Sequence, residues 1–198
     1  MEKRLVIFDF DGTLTRKDSM LEFTRYFHGV FRFYIGMLYL SPILLLYKVG
    51  FIPNWKAKEF YLTHFFGGLP LLDFQQACER FSLEKIPDIL RPLGFHRLKE
   101  HQDYGDELVI VSAAIEYWLN PWCHQNKLSC IGTRLALQNG FISGKIEGKN
   151  CHGPEKVKRL TEVYDLKKFS EIIVYGDSDG DLEMIKIATK YLYKPFLD

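Results

Sequence analysis

Apolar positions along this chain fall into short unbroken runs set between longer stretches of mixed polarity. Arg4–Phe8, Glu107–Val111 and Glu171–Tyr175 are the clearest runs, with Cys130–Thr133 and Tyr191–Tyr193 as shorter ones. Runs of that length, rich in Val, Ile and aromatic residues, predict strands. Strands that are apolar throughout, rather than alternately, are covered on both faces, and the stretches between them suit helices. The pattern therefore predicts an α/β fold with a parallel sheet between helical layers. Ligands in such sheets bind beyond the carboxyl ends of the strands. Polar residues stand at those ends here: Asp9 and Asp11 after the first run, Ser112 after the second, Asp177 after the third.

One interval is too long for a simple crossover. The chain runs from Asp9 to Asp106 between the first two strands, and only Leu98–Tyr104, before Gly105, reads as the end of a helix feeding the second. That leaves residues 16–85 as an inserted, mostly helical module, turned at Gly67-Gly68-Leu69-Pro70, and residues 1–15 and 86–198 as the core. Later, 134–137 and 141–146 around Gln138-Asn139-Gly140 predict a β-hairpin, and Pro154 starts a helix to Tyr164.

Within the insert, Phe33–Tyr47 carries no charge. A buried helical hairpin is the plainest expectation. The alternatives are a surface that touches a membrane or an apolar substrate tail, and a spanning helix, for which the run is short and broken by Ser41-Pro42. The insert holds nine Lys/Arg against six Asp/Glu, a bias that suits an anionic partner and is also ordinary for a solvated face.

Composition narrows the class. With 47% hydrophobic and 26% charged residues in 198, the chain is globular, and a net charge of +1 offers nothing to nucleic acid. Cys78, Cys123, Cys130 and Cys151 form no C-x-x-C pair, and strand character begins at Arg4 without a leader, so a reducing cytoplasmic location is expected. Cys123-His124 and Cys151-His152 match no standard zinc spacing.

The chemistry concentrates in four places. Asp9-Phe10-Asp11-Gly12-Thr13 puts two carboxylates at i and i+2, on one side of an extended segment, followed by a glycine for a tight turn. Ser112 follows Val109-Ile110-Val111. Lys156 sits at a helix start in Gly153-Pro154-Glu155-Lys156. Gly176-Asp177-Ser178-Asp179-Gly180-Asp181 ends another strand. Taken singly, the serine reads as a helix cap, the lysine as solvated, and the acidic run as a calcium loop that lacks its last ligand, Ala188 standing there. Together they suit phosphoryl transfer. One carboxylate attacks, a second moves protons, and a lysine with a Mg²⁺ on oxygen ligands neutralises the anions between them.

The order and identity of these residues resemble the haloacid dehalogenase-like superfamily, whose four motifs would span Arg4 to about Ile187. The resemblance implies a Rossmann-like core with a helical cap inserted between the first two motifs. It implies Asp9 as nucleophile and metal ligand, and Asp11 as general acid/base with its backbone carbonyl on Mg²⁺. Ser112 and Ala113 would hold the phosphate, Lys156 would bridge phosphate and nucleophile, Asp177 would bind the metal and Asp181 would orient its shell. An Asp at position 11 is the pattern of phosphatases and phosphomutases rather than dehalogenases. Insert length and the Val-Ile-Val-Ser-Ala run are similar to the phosphoserine phosphatase-like branch, subfamily IB. Asp18 stands where that branch carries a substrate-binding Glu, and reads either as a substrate contact or as an acid at a helix start. The apolar insert resembles phosphatidylglycerophosphate phosphatases instead. The expected substrate is thus a small phosphate monoester or a lipid phosphate, with peripheral contact at the inner face of the membrane in the second case. A phosphotransferase or phosphomutase, and a non-catalytic phospho-ligand binding protein, are the competing readings.

Overall fold

The computed structural model describes residues 3–196. In chain order its elements are β1 (Arg4–Phe8), α1 (Ser19–Lys48), α2 (Asn54–Phe66), α3 (Leu71–Glu84), α4 (Ile86–Ile89), α5 (Pro92–Asp103), β2 (Glu107–Ile115), α6 (Glu116–Gln125), β3 (Ser129–Thr133), β4 (Leu135–Gln138), β5 (Phe141–Ile146), α7 (Pro154–Val163), β6 (Glu171–Gly176), α8 (Leu182–Ile187) and β7 (Lys190–Tyr193). Five strands form one sheet in the order β3-β2-β1-β6-β7, every neighbouring pair parallel. β4 and β5 pair as a separate antiparallel hairpin. The architecture is the expected α/β fold, a five-stranded parallel sheet with a helical region inserted after β1.

Strand alternation divides the core. Val6 and Phe8 of β1, Ile110 of β2 and Tyr175 of β6 face one side, where Phe8 and Tyr175 stack at 4.5 Å. Leu5 and Ile7 of β1, Val109 and Val111 of β2 and Val174 of β6 face the other, against Leu160 of α7 and Met184 of α8. Both faces are dry, which explains why these strands carry no polar alternation. On the first side an aromatic cluster joins the insert to the sheet layer: Phe23 of α1 meets Phe66, Phe74, Phe81 and Trp118 with ring centroids 5.0 to 5.6 Å apart. Each such ring contributes about 1.5–3 kcal/mol by leaving water.

Two expectations are corrected. β2 does not stop at Val111 but continues to Ile115, so Ser112 lies within the strand, where pairing with β3 shifts register between Val111 and Ile115. Nor is Phe33–Tyr47 a buried hairpin. It belongs to the second of two helical pieces that make up α1, parted by a non-helical residue at Gly29 (φ 77°, ψ 163°), and this piece runs on through Pro42. Within that segment only Phe33, Gly36 and Leu40 are buried. The hairpin expectation weighed hydrophobicity alone, whereas the inner face of this helix needs only one narrow stripe to meet α2.

Candidate active site

β1, with β2 and β6 on either side of it, ends at the site. The pairing places Phe8 beside Ile110 and Tyr175, and Asp9 continues the ladder by donating its N–H to Tyr175 O at 2.9 Å. The chain then turns at Gly12, whose φ is 87°. A Cβ at Gly12 would collide with the carboxylate of Asp177, so glycine is required both for the turn and for the close approach. Thr13 donates its hydroxyl to Asp177 Oδ1 at 3.1 Å and so fixes that carboxylate against the turn.

Lys156, in the first turn of α7, is buried between two acids. Its Nζ donates to Asp9 Oδ1 and to Asp181 Oδ1, both at 2.6 Å. Burial alone would lower the lysine pKa, but the two carboxylates outweigh it and hold the value above the ordinary lysine range. Burial pushes Asp9 up to about 6, with Lys156 pulling against it and Asp181 adding to it. The other oxygen of Asp181 accepts from the N–H groups of Asp177 and Ser178, each at 3.1 Å. Asp181 therefore shapes the loop that carries Asp177 while it pairs with Lys156.

Asp11 is held differently. Its carboxylate accepts from Ser19 N (2.8 Å) and Ser19 Oγ (2.9 Å), and that hydroxyl in turn accepts from Trp118 Nε1 at 3.1 Å. Burial, then the charge of Asp18, raise the Asp11 pKa well above the carboxylate range, with the Ser19 contacts pulling it back. Burial and the Asp18 charge thus favour the protonated form more than for an exposed carboxylate, the direction a general acid needs.

One cavity of about 260 Å³ collects Asp9, Asp11, Asp18, Ser112, Ala113 and Lys156 among its lining residues. Ser112 is buried, and its Oγ accepts from Ala114 N at 3.1 Å. It does not cap a helix, since the residue before α6 is Ile115. Asp18 caps α1 by accepting from Leu21 N at 3.0 Å, and it also faces the cavity. Asp177 and Asp181 stand with Asp9 as a group whose ligand oxygens lie within 4.8 Å of one another.

These three acids fit a hard divalent cation. Asp9 offers one oxygen with no hydrogen-bond donor among the described residues, and Asp177 does the same, while both oxygens of Asp181 are already engaged. Carboxylate oxygens without protein donors, grouped at this spacing, match the ligand chemistry of Mg²⁺. Among the described residues, no cluster that includes Cys123, His124, Cys151 or His152 has comparable geometry.

Sequence reasoning missed Lys58. This residue of α2 points into the cavity and donates to Ala113 O and to Asn150 Oδ1 (3.0 Å). Thr133 Oγ1 lies 2.8 Å from Ala113 O, and Asn150 Nδ2 donates to Asn54 Oδ1 at 2.9 Å, so α2 is tied to the sheet beside Ser112. Burial lowers the Lys58 pKa to about 8, against the raising effect of Asp18 and Asp11. A signal existed: Lys58 falls on the same stripe of α2 as Tyr61, Leu62 and Phe65, all buried, where a solvated lysine does not belong. Lys58→Met should lower kcat/KM for a phosphate ester by ~10- to 100-fold, the loss of one charge-assisted contact. The cation is present below pH 8 and disappears as pH rises through it, so the wild-type profile should fall on the alkaline side with an inflection the variant lacks. A pH–rate comparison of the two proteins checks both points.

Known proteins are similar to this chain along nearly its whole length. The profile of the family described as haloacid dehalogenase-like hydrolase covers residues 6–186. Protein CicA of Caulobacter vibrioides is 35% identical over 98% of this chain and 87% of its own length. A histidinol-phosphatase of Neisseria meningitidis is 24% identical over 95% of this chain and 88% of its own. The structure of a substrate-bound phosphoserine phosphatase superposes with a TM-score of 0.71 at 18% identity, covering 98% of this chain and 86% of that one.

Proposed function

The chain belongs to the haloacid dehalogenase-like hydrolases, and on that premise we propose that it is a Mg²⁺-dependent phosphomonoesterase with Asp9 as its nucleophile. The observation that carries this reading is the buried Asp9 carboxylate, with one oxygen on Lys156, the other without a protein donor, in one cavity with Asp11 and Ser112.

In the first step an Asp9 oxygen attacks phosphorus and the bond to the leaving oxygen breaks, while Asp11 gives that oxygen its proton. In the second, Asp11 takes a proton from water as the water attacks the aspartyl-phosphate, and phosphate leaves with Asp9 restored. Lys156 holds Asp9 in line and offsets its charge. Ser112 and the Ala113 N–H hold the phosphoryl oxygens. Asp9, Asp177 and the backbone carbonyl of Asp11 would hold a Mg²⁺, which would supply positive charge between the two anions. Asp181 keeps the Asp177 loop in place.

Residues 1–15 and 86–198 serve as the catalytic core in this reading, and residues 16–85 as a cap of the phosphoserine phosphatase-like type, subfamily IB. The cap supplies Met20, Leu21, Met37, Leu44 and Tyr47 to the cavity lining, beside its own polar Asp18, Asn54 and Lys58. A small phosphate monoester fits the cavity volume, and the apolar wall favours a lipid phosphate, as in phosphatidylglycerophosphate phosphatases. Asp18 would meet polar groups of the leaving alcohol. The reading places the protein in the cytoplasm, where its four free cysteines stay reduced.

The test is phosphate release with Mg²⁺ from a panel of phosphoamino acids, sugar phosphates, nucleotides and lipid phosphates. Free phosphate should appear at the rate of substrate loss. Slower release, with phosphate moved to a second alcohol, would establish a phosphotransferase or mutase instead. Chelation should stop release completely and Mg²⁺ should restore it; turnover that survives chelator would remove the metal from the reading.

A further inference from the structure

The second half of α1 is apolar on every side. Phe33, Gly36 and Leu40 face inward and are buried. The opposite face presents Phe31 (78% exposed), Ile35, Leu38 (75%), Leu45 and Val49, and the following turn adds Phe51 (81%). A helix hydrophobic all round is stable where both sides are out of water, in a core or against a bilayer. This one has a core on one side only, and its outward row is far longer than the scattered apolar residues of an ordinary surface.

Two further observations say what covers it. The first is charge. From Phe23 to Lys58 there is no Asp or Glu, and Arg32, Lys48 and Lys56 flank the apolar row. None of the three has an acidic partner within ion-pair distance among the described residues. Such a border suits an anionic surface. The second is backbone satisfaction. Pro42 has no N–H to give to the carbonyl of Leu38, one turn back, and Ser41 Oγ donates to that carbonyl at 2.7 Å instead. Such local serine bonds occur on solvated helices too, but this one leaves Leu38 with a donor, so the face can leave water without an orphaned carbonyl.

We propose that the outer face of α1 from Phe31 to Val49, with Phe51, is a docking surface for an anionic lipid bilayer. The helix lies in the interface with Phe31, Leu38 and Leu45 below the headgroups and Arg32, Lys48 and Lys56 among them. The same helix lends Met37, Leu44 and Tyr47 to the wall of the cavity that holds Asp9, so docking sets the cavity beside the bilayer. The docking does not depend on the phosphatase reading. Its consequence, that a phosphate ester borne on a lipid reaches Asp9 without leaving the interface, rests on it.

Vesicle co-sedimentation of the full chain tests the proposal, with neutral phosphatidylcholine vesicles and with vesicles containing phosphatidylglycerol. The protein should pellet with the anionic vesicles at least tenfold more than with neutral ones, and less in high salt. The double variant Phe31→Asp/Leu38→Asp should stay in solution and still hydrolyse p-nitrophenyl phosphate at the wild-type rate. Lys48→Glu/Lys56→Glu, which leaves the apolar row intact, should lose the preference for anionic vesicles. Wild-type protein that stays in the supernatant overturns the proposal. So does pelleting that resists alkaline carbonate, which means a spanning helix, or a dimer that Phe31→Asp/Leu38→Asp dissolves in protein that ignores vesicles, which means that a second copy covers the face. Vesicle binding without any phosphate release supports the docking surface and removes the phosphatase reading.

Discussion

Asp9→Asn should abolish phosphate release, by roughly four orders of magnitude or more, because the nucleophile proposed to form the covalent intermediate has no substitute in the site. Asparagine keeps the shape but cannot attack phosphorus. Its effect on stability should be small. The wild-type carboxylate is buried, raised to about 6 and repelled by Asp181, so losing its charge removes a cost as well as the contact with Lys156. Lys156 keeps Asp181 as its partner at 2.6 Å. The expected result is a folded protein with a Tm within a few degrees of wild type. Near-normal turnover by this variant would end the nucleophile assignment, and phosphate release with a melting curve on the same preparation measures both.

Lys156→Met is the second large effect, and here stability and activity fall together. The substitution leaves Asp9 and Asp181 buried without the ammonium that links them. Stranding a buried charge by removing its partner costs about 3–5 kcal/mol, a large fraction of a domain's total stability. Turnover should be lost as well, because Asp9 is no longer positioned and repels the incoming phosphate. The pH dependence has a definite sign. Asp9 already has a folded pKa above its unfolded value, and without Lys156 it rises further. A raised acid destabilises the fold when ionised and stops doing so once protonated, so the Asp9 part of the deficit is fully present above the variant's own, higher pKa, shrinks as pH falls toward the wild-type value of about 6, and is gone below it. Thermal melts at pH 5.5 and pH 8, without divalent cation, measure the difference. A deficit equal at both values would show that lost packing, not stranded charge, is responsible.

Much of the core was legible because its signals are local. The strands are unbroken apolar runs, and Asp9, Asp11 and Asp177 stand one to three residues past them. The hairpin around Asn139-Gly140 and the helix opening at Pro154 follow from turn chemistry and a fixed proline φ. The strand through Ser112 was read too short because a hydroxyl and two alanines interrupt the apolar run, while the backbone ladder beneath them continues to Ile115. Lys58 was missed for a different reason. Its place on the stripe of Tyr61, Leu62 and Phe65 marks it as inward-facing, but the lysine itself does not say which groups across the fold it will meet. The same gap affected Ser19, whose hold on Asp11 spans eight residues, and Thr13, whose partner Asp177 is 164 residues away.

The sequence by itself determined the sheet, its direction, and the set of acids, serine and lysine that meet at its carboxyl edge. These depend on period, spacing and residue type, which a chain carries in its primary order. Only the tertiary structure decided that Lys156 bridges Asp9 and Asp181, that Asp181 braces the loop of Asp177, and that Lys58 enters from the insert. It also decided the fate of the charge-free segment of α1. Hydrophobicity says that a residue prefers to leave water, but not what it leaves water for, and only the packing shows that the outer face of this segment is left exposed among the described residues.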